Sequence, residues 1–440
     1  MKHIKFQFLL ILAKIMSSII KILGKSSGTS FVGLIILKMC PDFISQASKY
    51  ITKNIITVTG TNGKTTTSGI MAHIIEDSGA SVLNNVKGAN MLSGIANTFA
   101  LNIRPFKRFD YAVLESDEAY LSKLYNFINS DYLVVTNLFR DQLDRYGELS
   151  TTAKKIQNAI DKNKGLQLIL NADDPMVVDF KPFGDKKPIY FGFNKVEYNN
   201  KNINSHAPAE LINCPWCGQT LQYSERFYAQ QGHYYCLCGY RRPYCKYNAD
   251  VIIYSDHSTI KFNMNDNEHY EFTIHLTGLY NAYNALGAIA QTLELGITDI
   301  QGALDTYKSE FGRSEVREIK GHKTIIQLIK NPTGASEVLK TVDKNSNILI
   351  AINDNYADGR DVSWLWDADF ELLQGCDKKI VTTGIRAYDM AIRLKYAGIS
   401  NVKVIPNIDD AMKYTIKYAE KNITILPTYT ALLHINQKKK

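Results

Sequence analysis

The stretch that decides the fold is residues 55–67, IITVTGTNGKTTT, in which a β-branched run leads through a glycine turn to Lys64. The run favours a strand, and the residues after Lys64 favour a helix. A strand, a glycine turn and a helix start direct backbone N–H groups and the positive helix end at a phosphate. The Lys64 ammonium then meets the outer phosphates, and the Thr65 hydroxyl is left for Mg²⁺. The stretch therefore predicts an ATP site formed by Gly60, Thr61, Asn62, Gly63, Lys64, Thr65 and Thr66.

The loop is a shortened phosphate loop, because the general motif places glycine where this chain has Val58. The alternative is a Gly-Lys-Thr that occurs by chance in a surface loop. The strand before it and the helix after it disfavour that alternative.

Short β-branched runs and helical stretches alternate on both sides of this loop. Strands are predicted at 55–59, 111–115, 132–136, 166–170 and 188–193, and a helix at 65–76. This alternation predicts an α/β fold with a parallel sheet. A second series at 324–329, 348–352, 379–383, 402–405 and 423–426 predicts a Rossmann-like domain. Active-site groups should gather in the cleft between the two α/β domains.

The chain divides into three parts on this interpretation. They are an amphipathic helical segment at 1–50, a central ATP-binding domain at 51–312 with an insert at 210–246, and a C-terminal domain at 313–440. With 440 residues, 45% hydrophobic and 21% charged, the composition is that of a folded protein of about three domains. Most of the net charge of +8 lies in the first 50 residues, which hold seven lysines and one acid. The nearly neutral remainder argues against nucleic acid as a partner.

The opening segment has the pattern of a basic amphipathic helix. Its apolar run at 8–13 ends at Lys14, far short of the roughly 20 residues that span a bilayer, and no signal-peptide cleavage site follows. Helical spacing collects Phe8, Ile11, Leu12, Ile15, Ile19, Ile22 and Leu23 on one face, with Lys14, Ser17, Ser18, Lys21 and Lys25 largely opposite. Residues 5–25 could contact an anionic membrane surface, or the apolar face could pack on the body of the protein.

Four cysteines have metal-ligand spacing. Cys214 and Cys217 lie about 20 residues before Cys236 and Cys238, and each pair is followed by glycine. Two hairpin tips would bring four thiolates together as a closed, structural Zn²⁺ site. Cys245 is an alternative fourth ligand, but Gly239 lets the backbone turn beside Cys238. Clustered thiols also fit a reducing, cytoplasmic location, whereas four unrelated buried thiols remain the alternative to a metal site.

Several motifs in order resemble the Mur ligase superfamily, which includes folylpolyglutamate synthetase and activates carboxylates as acyl phosphates for attack by an amine. They are GTNGKTTT at 60–67, Leu114-Glu115-Ser116, the Thr-Asn segment at 135–147, the helix start at 278–285 and Gly312-Arg313. The resemblance implies that Thr65 and Glu115 hold Mg²⁺ and that Asn281 and Arg313 contact nucleotide.

The chain departs from the superfamily pattern in three places. Gln142 replaces the usual metal-binding His, and Gln327 stands where an Asp usually precedes Asn331-Pro332, so a second Mg²⁺ is in doubt. The phosphate loop starts at Gly60, which leaves no room for the usual domain that holds a soluble uridine nucleotide.

These departures, the cysteine pairs and the loop INDNYADGRD at 352–361 resemble one branch, the MurT subunits of lipid II isoglutaminyl synthase. The resemblance implies ATP-dependent amidation of the D-glutamate α-carboxylate of lipid II, with ammonia from a GatD-type glutamine amidotransferase. It also implies that Asp361 enters the partner's active site and orients its catalytic His, so that Asp361, Lys64 and Glu115 are the catalytic residues. Cys40 and Cys376 have no nucleophile-elbow context, so the chain needs a partner to make ammonia.

Two other functions remain open from the sequence. One is a folylpolyglutamate synthetase-like ligase. The other is a zinc-ribbon ATPase that binds nucleic acid through basic and aromatic residues of the insert, which include Arg226, Arg241, Arg242, Lys246, Tyr223, Phe227, Tyr234 and Tyr235. The expected location is cytoplasmic, at the inner face of the membrane if residues 5–25 bind there.

Overall fold

The structure is a computed structural model that describes residues 2–22, 30–85, 89–104, 107–139, 149–199, 213–254, 256–265, 268–309, 312–420 and 422–437. The α-helices are α1 (Lys2–Ile22), α2 (Phe31–Met39), α3 (Phe43–Ser48), α4 (Lys64–Asp77), α5 (Leu92–Asn102), α6 (Leu121–Leu124), α7 (Leu149–Ile160), α8 (Leu279–Glu294), α9 (Gln301–Thr306), α10 (Pro332–Lys340), α11 (Trp364–Asp367), α12 (Ala387–Tyr396), α13 (Ile408–Lys417) and α14 (Tyr429–Gln437). A 3₁₀ turn spans Phe370–Leu373.

Nine strands lie between residues 51 and 253. They are β1 (Ile51–Thr59), β2 (Val82–Asn84), β3 (Phe109–Glu115), β4 (Tyr132–Val135), β5 (Gln167–Asn171), β6 (Ile189–Tyr198), β7 (Gln222–Tyr228), β8 (Gln231–Tyr235) and β9 (Tyr247–Ile253). The remaining strands are β10 (Ser258–Asn265), β11 (Glu268–Ile274), β12 (Arg313–Ile319), β13 (His322–Gln327), β14 (Asn347–Ala351), β15 (Ile380–Thr383), β16 (Val402–Val404) and β17 (Ile423–Pro427).

The larger sheet has nine strands in the order β11-β10-β9-β6-β5-β4-β1-β3-β2. The pairs from β6 to β2 are parallel, and β9 is parallel to β6, while β10 and β11 add an antiparallel edge. Buried apolar side chains line both faces of this sheet, so its central strands read as continuous β-branched runs. Helix α8 is buried along most of its length and forms the centre of one face.

The smaller sheet has six strands in the order β12-β13-β17-β14-β15-β16, and only the β12–β13 pair is antiparallel. Its helices cover buried clusters on both faces. The chain changes from one sheet to the other after α9 and before β12, and a cleft lies between the two sheets' layers. Strands β7 and β8, which lie between β6 and β9 in the chain, form a separate hairpin in the cysteine-rich insert.

The predicted α/β fold is confirmed, and the bounds of the ten predicted strands agree with the structure to within two residues except where β1 and β6 are longer. The expected five-stranded second sheet has a sixth strand, β12, because residues 313–319 fold back antiparallel on β13. Strand β2 was not predicted, and neither were β9 and β10. They alternate buried and exposed residues at the sheet edge and lack the continuous apolar run that marks the central strands.

The opening helix packs on the body with a face other than the one predicted. Residues Phe6, Leu9, Leu10 and Ala13 are buried against α3 and α5, while Phe8, Ile11, Ile15 and Ile19 are exposed. Both α1 faces are therefore apolar, and periodicity alone did not show which one the protein covers. Among the described residues, no helix is both long enough and apolar enough to cross a bilayer.

Candidate active site

The phosphate loop turns where β1 ends and α4 begins. Gly60 and Gly63 have φ of +127° and +86°, a region that side chains with a Cβ rarely adopt. A Cβ on Gly63 would lie 1.9 Å from Oδ1 of Asn284, and one on Gly60 would lie 2.3 Å from Oγ1 of Thr136. Glycine is thus required at both positions by conformation and by space. The turn leaves the loop's backbone beside the start of α4, as the sequence predicted.

The end of β4 holds the loop in this shape. The N–H of Thr61 donates to the carbonyl of Asn137 at 2.9 Å, and the N–H of Asn62 donates to the side-chain oxygen of Asn137, also at 2.9 Å. The Thr136 hydroxyl donates to the carbonyl of Asn62 at 2.7 Å. Because Asn137 takes two consecutive loop N–H groups, it fixes the path of the chain on the amino side of Gly63.

Lys64 lies buried within the loop. Its ammonium donates to the carbonyls of Gly60 and Thr61, and its Nζ lies 3.3 Å from Oε2 of Glu118. Burial raises the pKa of Glu118, and the neighbouring Lys64 charge opposes that rise. A buried cation held by carbonyls and one carboxylate is placed to exchange these partners for phosphate oxygens.

Glu115 and Thr65 meet at the carboxyl end of β3. The Thr65 hydroxyl donates to Oε2 of Glu115 at 2.8 Å, and Asn90 donates to the other carboxylate oxygen at 3.1 Å. Neighbouring oxygens around octahedral Mg²⁺ are about 2.9 Å apart, since the bonds are about 2.05 Å long. Two hard oxygen ligands at this separation fit Mg²⁺, and Asn85 fixes Glu115 further through both backbone groups at 2.8 Å.

The C-terminal layer contacts the phosphate loop directly. Asn331 donates from Nδ2 to Oδ1 of Asn62 at 3.0 Å, and Nζ of Lys330 donates to the carbonyl of Thr61 at 3.2 Å. Asn331 also caps α10, because its side-chain oxygen accepts from the N–H of Gly334 at 2.8 Å. One side chain therefore fixes a helix start and faces the loop of the other layer.

An open cleft with a cavity volume of about 60 Å³ lies beside the loop, and both layers line it. Asn281, predicted to contact nucleotide, lies in its wall and donates to the carbonyl of Thr277 at 2.8 Å. Arg313 begins β12 beside two lining residues, Gly312 and Ser314, but its side chain lies outside the described residues. Gln142 lies outside them as well.

Gln327, which replaces the expected Asp, is buried in the wall of the same cleft. Its amide donates to Thr341 at 3.0 Å and to Ser314 at 3.3 Å. The neutral amide thus ties β13 to β12 and α10 through hydroxyl groups, which a carboxylate could not do as a donor.

The four predicted cysteines lie together. The Sγ atoms of Cys214, Cys217, Cys236 and Cys238 all lie within 4.8 Å of one another, with nearest pairs at 3.5 and 3.6 Å. Tetrahedral Zn²⁺ with bonds of about 2.3 Å requires sulfurs about 3.8 Å apart, so the group fits that ion.

Cys245, the alternative fourth ligand, lies outside this group. It is buried and contacts the carbonyl of Pro243 at 3.8 Å. Gly218 and Gly239, with φ of +76° and +96°, close the two turns at the positions where the sequence placed hairpin tips. The geometry therefore brings Cys238 to the cluster.

The insert packs against the residues that hold the phosphate loop. Gln230 donates to the carbonyl of Leu138 at 2.7 Å, and Asp174 accepts from the N–H of Leu138 at 2.8 Å. Tyr228, at the end of β7, packs on Phe139 and lines the cleft. Sequence motifs did not identify Tyr228, Glu118 or Asn90. Only the acidic run at 115–118 gave a signal, since carboxylates directly after a buried strand often face a site.

The loop after β14 contains three acids in different surroundings. Asp354 pairs with Arg386 at 2.6 Å, and Asp358 accepts from the N–H of Thr430 at 2.7 Å; both are buried. Burial raises the pKa of Asp358, against the hydrogen bonds from Thr430. Asp361 is partly exposed and accepts the N–H of Ser363 at 2.8 Å. The first two acids shape the loop, and Asp361 is the one nearer the surface.

Comparisons with known proteins agree with this geometry. Family models described as Mur ligase middle domain and MurT ligase C-terminal match residues 58–229 and 328–432. The protein named lipid II isoglutaminyl synthase (glutamine-hydrolyzing) subunit MurT from Staphylococcus aureus (strain COL) is 35% identical, covering 96% of this chain and 94% of its own. The protein of the same name from Streptococcus pneumoniae (strain ATCC BAA-255 / R6) is 36% identical, covering 93% and 92%.

Solved structures show the same fold. A pseudomurein peptide ligase type C from Methanothermus fervidus superposes with a TM-score of 0.69 at 23% identity, covering 91% of this chain and 83% of its own. A MurF ligase from Thermotoga maritima in complex with ADP gives 0.61 at 13% identity, covering 93% and 84%. The predicted resemblance is confirmed: the chain belongs to the MurT family and has the Mur ligase fold.

Proposed function

We propose that this chain is the synthetase subunit of a lipid II isoglutaminyl synthase, which amidates the α-carboxylate of D-glutamate in a peptidoglycan precursor. The observation that carries the proposal is the meeting of Lys64, Thr65 and Glu115 at one loop in a chain that matches MurT subunits along almost its whole length. The similarity to MurT subunits favours this branch over a folylpolyglutamate synthetase-like ligase or a nucleic-acid-binding ATPase.

The chemistry required is activation of an inert carboxylate. ATP would phosphorylate it to an acyl phosphate, and ammonia would then displace phosphate to form the amide. Lys64 and the backbone N–H groups at the start of α4 would stabilise charge on the transferred phosphoryl group, and Thr65 and Glu115 would hold the Mg²⁺ that neutralises it. Asn281, the side chain of Arg313 and Tyr228 are proposed to contact the nucleotide. Residues on both sides of the cleft would exclude water that otherwise hydrolyses the acyl phosphate.

The cysteine cluster is proposed to hold a structural Zn²⁺. Four thiolates leave no position open for water, so the ion would supply fold stability and no chemistry. Its support for the active site would be indirect. The hairpin that the ion closes carries Tyr228 and Gln230, and these side chains contact the segment that holds the phosphate loop.

The C-terminal layer is proposed to dock a GatD-type glutamine amidotransferase. One side of α12 exposes apolar and aromatic side chains, and Trp366 from α11 packs edge-on against Tyr396 with ring centroids 5.5 Å apart. The exposed residues are Ile385, Tyr388, Ile392, Tyr396 and Trp366. Contiguous exposed aromatic surface of this kind is typical of protein interfaces. Asp361 lies just before α11, so a partner seated there could receive its carboxylate.

Reconstitution tests the proposed reaction. The purified chain and a candidate amidotransferase subunit would be supplied with glutamine, ATP, Mg²⁺ and lipid II. We expect ADP release that depends on the precursor, and mass analysis should show replacement of a carboxylic acid by an amide. A complex that assembles but releases no ADP with any glutamate-containing precursor would contradict the proposal.

Asp361→Asn tests the role of the partner-facing acid. Because the amide cannot stabilise a protonated His as a carboxylate does, we expect glutamine hydrolysis by the complex to fall by about 10²-fold or more, while ATP binding persists. Asp410→Asn is the matched control, since Asp410 is an exposed acid of the same layer. Unchanged glutamine turnover in a complex that still assembles with Asp361→Asn would exclude this role.

A further inference from the structure

The outer face of α1 carries a long apolar stripe that no described residue covers. The side chains of Ile4, Phe8, Ile11, Ile15 and Ile19 have exposed fractions of 74, 56, 60, 52 and 49%. They follow each other at intervals of three or four residues, so they form one continuous strip along the helix. Soluble surfaces rarely leave a strip of this length uncovered, and such a strip usually marks a contact surface.

The opposite face of α1 already has its partners, so the stripe is not needed for packing. Phe6 stacks on Phe43 and Tyr50 at centroid distances of 5.0 and 5.8 Å, and Gln7 donates to the Tyr50 hydroxyl at 3.0 Å. Helix α2, which packs beside α1, also has two exposed apolar side chains, Phe31 and Leu34. The helices are thus firmly placed on the protein with an apolar surface turned outward.

Most charged side chains near the stripe are basic, although Asp42 at the start of α3 is also exposed. The sequence has no acid before Asp42, while Lys5 and Lys38 are exposed on the two helices. Lys14 reaches across to donate to the carbonyl of Ile103 at 2.8 Å. Directly after Ile103, the side chains of Arg104, Lys107 and Arg108 are exposed. A basic border around an apolar strip complements an anionic lipid surface, where each cation near the headgroups adds to binding.

The position of α2 connects this surface with the active site. A Cβ on Gly33 would lie 1.8 Å from the carbonyl of Ser93, so the start of α2 touches the start of α5. Asn90, two residues before α5 begins, donates a hydrogen bond to the carboxylate of Glu115. The start of α2 therefore lies near the segment that holds Glu115 at the carboxyl end of β3.

We propose that the stripe formed by Ile4, Phe8, Ile11, Ile15 and Ile19, together with Phe31 and Leu34, rests in the headgroup region of an anionic membrane. The binding is carried by this surface alone. The role of this binding would be to bring the active site to the carboxylate of a lipid-anchored substrate, and that role rests on the proposed function. A bilayer is the occupant favoured over a protein because the predominantly positive border matches a uniformly negative surface.

Vesicle flotation tests the proposal on the full-length chain. The probes are vesicles of phosphatidylglycerol and phosphatidylcholine in equal amounts, and vesicles of phosphatidylcholine alone. The variant Ile11→Ser with Ile15→Ser removes two outward apolar side chains from the middle of the stripe. Phe183→Ser with Val316→Ser is the matched control, because both residues are about as exposed but lie elsewhere. Circular dichroism would check that each variant keeps its fold.

We expect the unaltered chain and the control to float with the anionic vesicles, and the stripe variant to bind at least about tenfold more weakly, as loss of two buried side chains implies. Failure of the unaltered chain to float, or equal binding by the stripe variant, would overturn the proposal. A stripe variant that instead loses the amidotransferase subunit or self-association would assign the surface to a protein and also overturn it. ADP release with a lipid-free precursor reports on the proposed function separately, because that assay contains no membrane.

Discussion

Gly63→Ala is the sharpest test of the phosphate loop. At φ of +86°, an alanine costs about 1–2 kcal/mol from backbone strain alone. Its Cβ would also meet Oδ1 of Asn284 at 1.9 Å, and Asn284 is buried, so relieving the contact costs about 1–3 kcal/mol more. Gly79 provides a matched control, since its φ is +84° and a Cβ there would meet nothing within 4 Å.

Calorimetry and ADP titration separate the two costs. Gly79→Ala should lower Tm by about 2–8 °C, from 2–4 °C per kcal/mol in a domain of this size, and leave ADP affinity unchanged. Gly63→Ala should lose more stability and bind ADP at least about tenfold more weakly, since that difference corresponds to about 1.4 kcal/mol. Adding Asn284→Ala removes the contact and should return stability toward that of the control. Equal ADP affinity in Gly63→Ala and Gly79→Ala would refute the placement of nucleotide at this loop.

Two further predictions concern the insert and its neighbours. Cys217→Ser should reduce bound zinc in the purified protein, measured by mass spectrometry of the metal, whereas Cys245→Ser should not; zinc retained equally in both would exclude the four-cysteine site. Burial raises the pKa of Asp174 from 3.8 to about 7, so between these values the folded chain holds a proton that the unfolded chain has lost. Between these two pH values, the free energy of unfolding should therefore fall by about 1.4 kcal/mol for each unit that the pH rises, because of this group. Urea unfolding of Asp174→Asn should lack that slope. Identical slopes in the two proteins would contradict a buried, protonated Asp174.

The sequence predicted what depends on local pattern. The strand, turn and helix around the phosphate loop, the central parallel strands and both cysteine turns were all readable, because continuous β-branched runs and glycine at forced turns are short-range signals. The division at 312 and the individual site roles stay predictions. The contact between Asn62 and Asn331 was not readable, because 269 residues separate them and neither lies in a periodic pattern.

The face that α1 buries was missed for a different reason. Helix α1 has two apolar strips, so the hydrophobic pattern alone does not determine which face is buried. The packing of Phe6 against Phe43 and Tyr50 shows which one it is. The same ambiguity hid the fact that one apolar strip stays exposed. A helix with one apolar face would have buried that face against the protein, whereas this helix buries one face and still exposes a second apolar strip to solvent.

The topology of the smaller sheet places its contact with the phosphate loop and the loop that contains Asp361 at one edge. Strands β13 and β14 are parallel to β17 and lie on either side of it, so the residues that follow them emerge at one edge. Asn331, after β13, contacts the phosphate loop, and Asn353, after β14, opens the loop that ends at Asp361. Thr428, after β17, lies beside the second of these, since its hydroxyl accepts the N–H of Asn353 at 2.9 Å. On the proposed function, ammonia would therefore be released at the edge where the acyl phosphate forms, which limits its escape as unreactive ammonium.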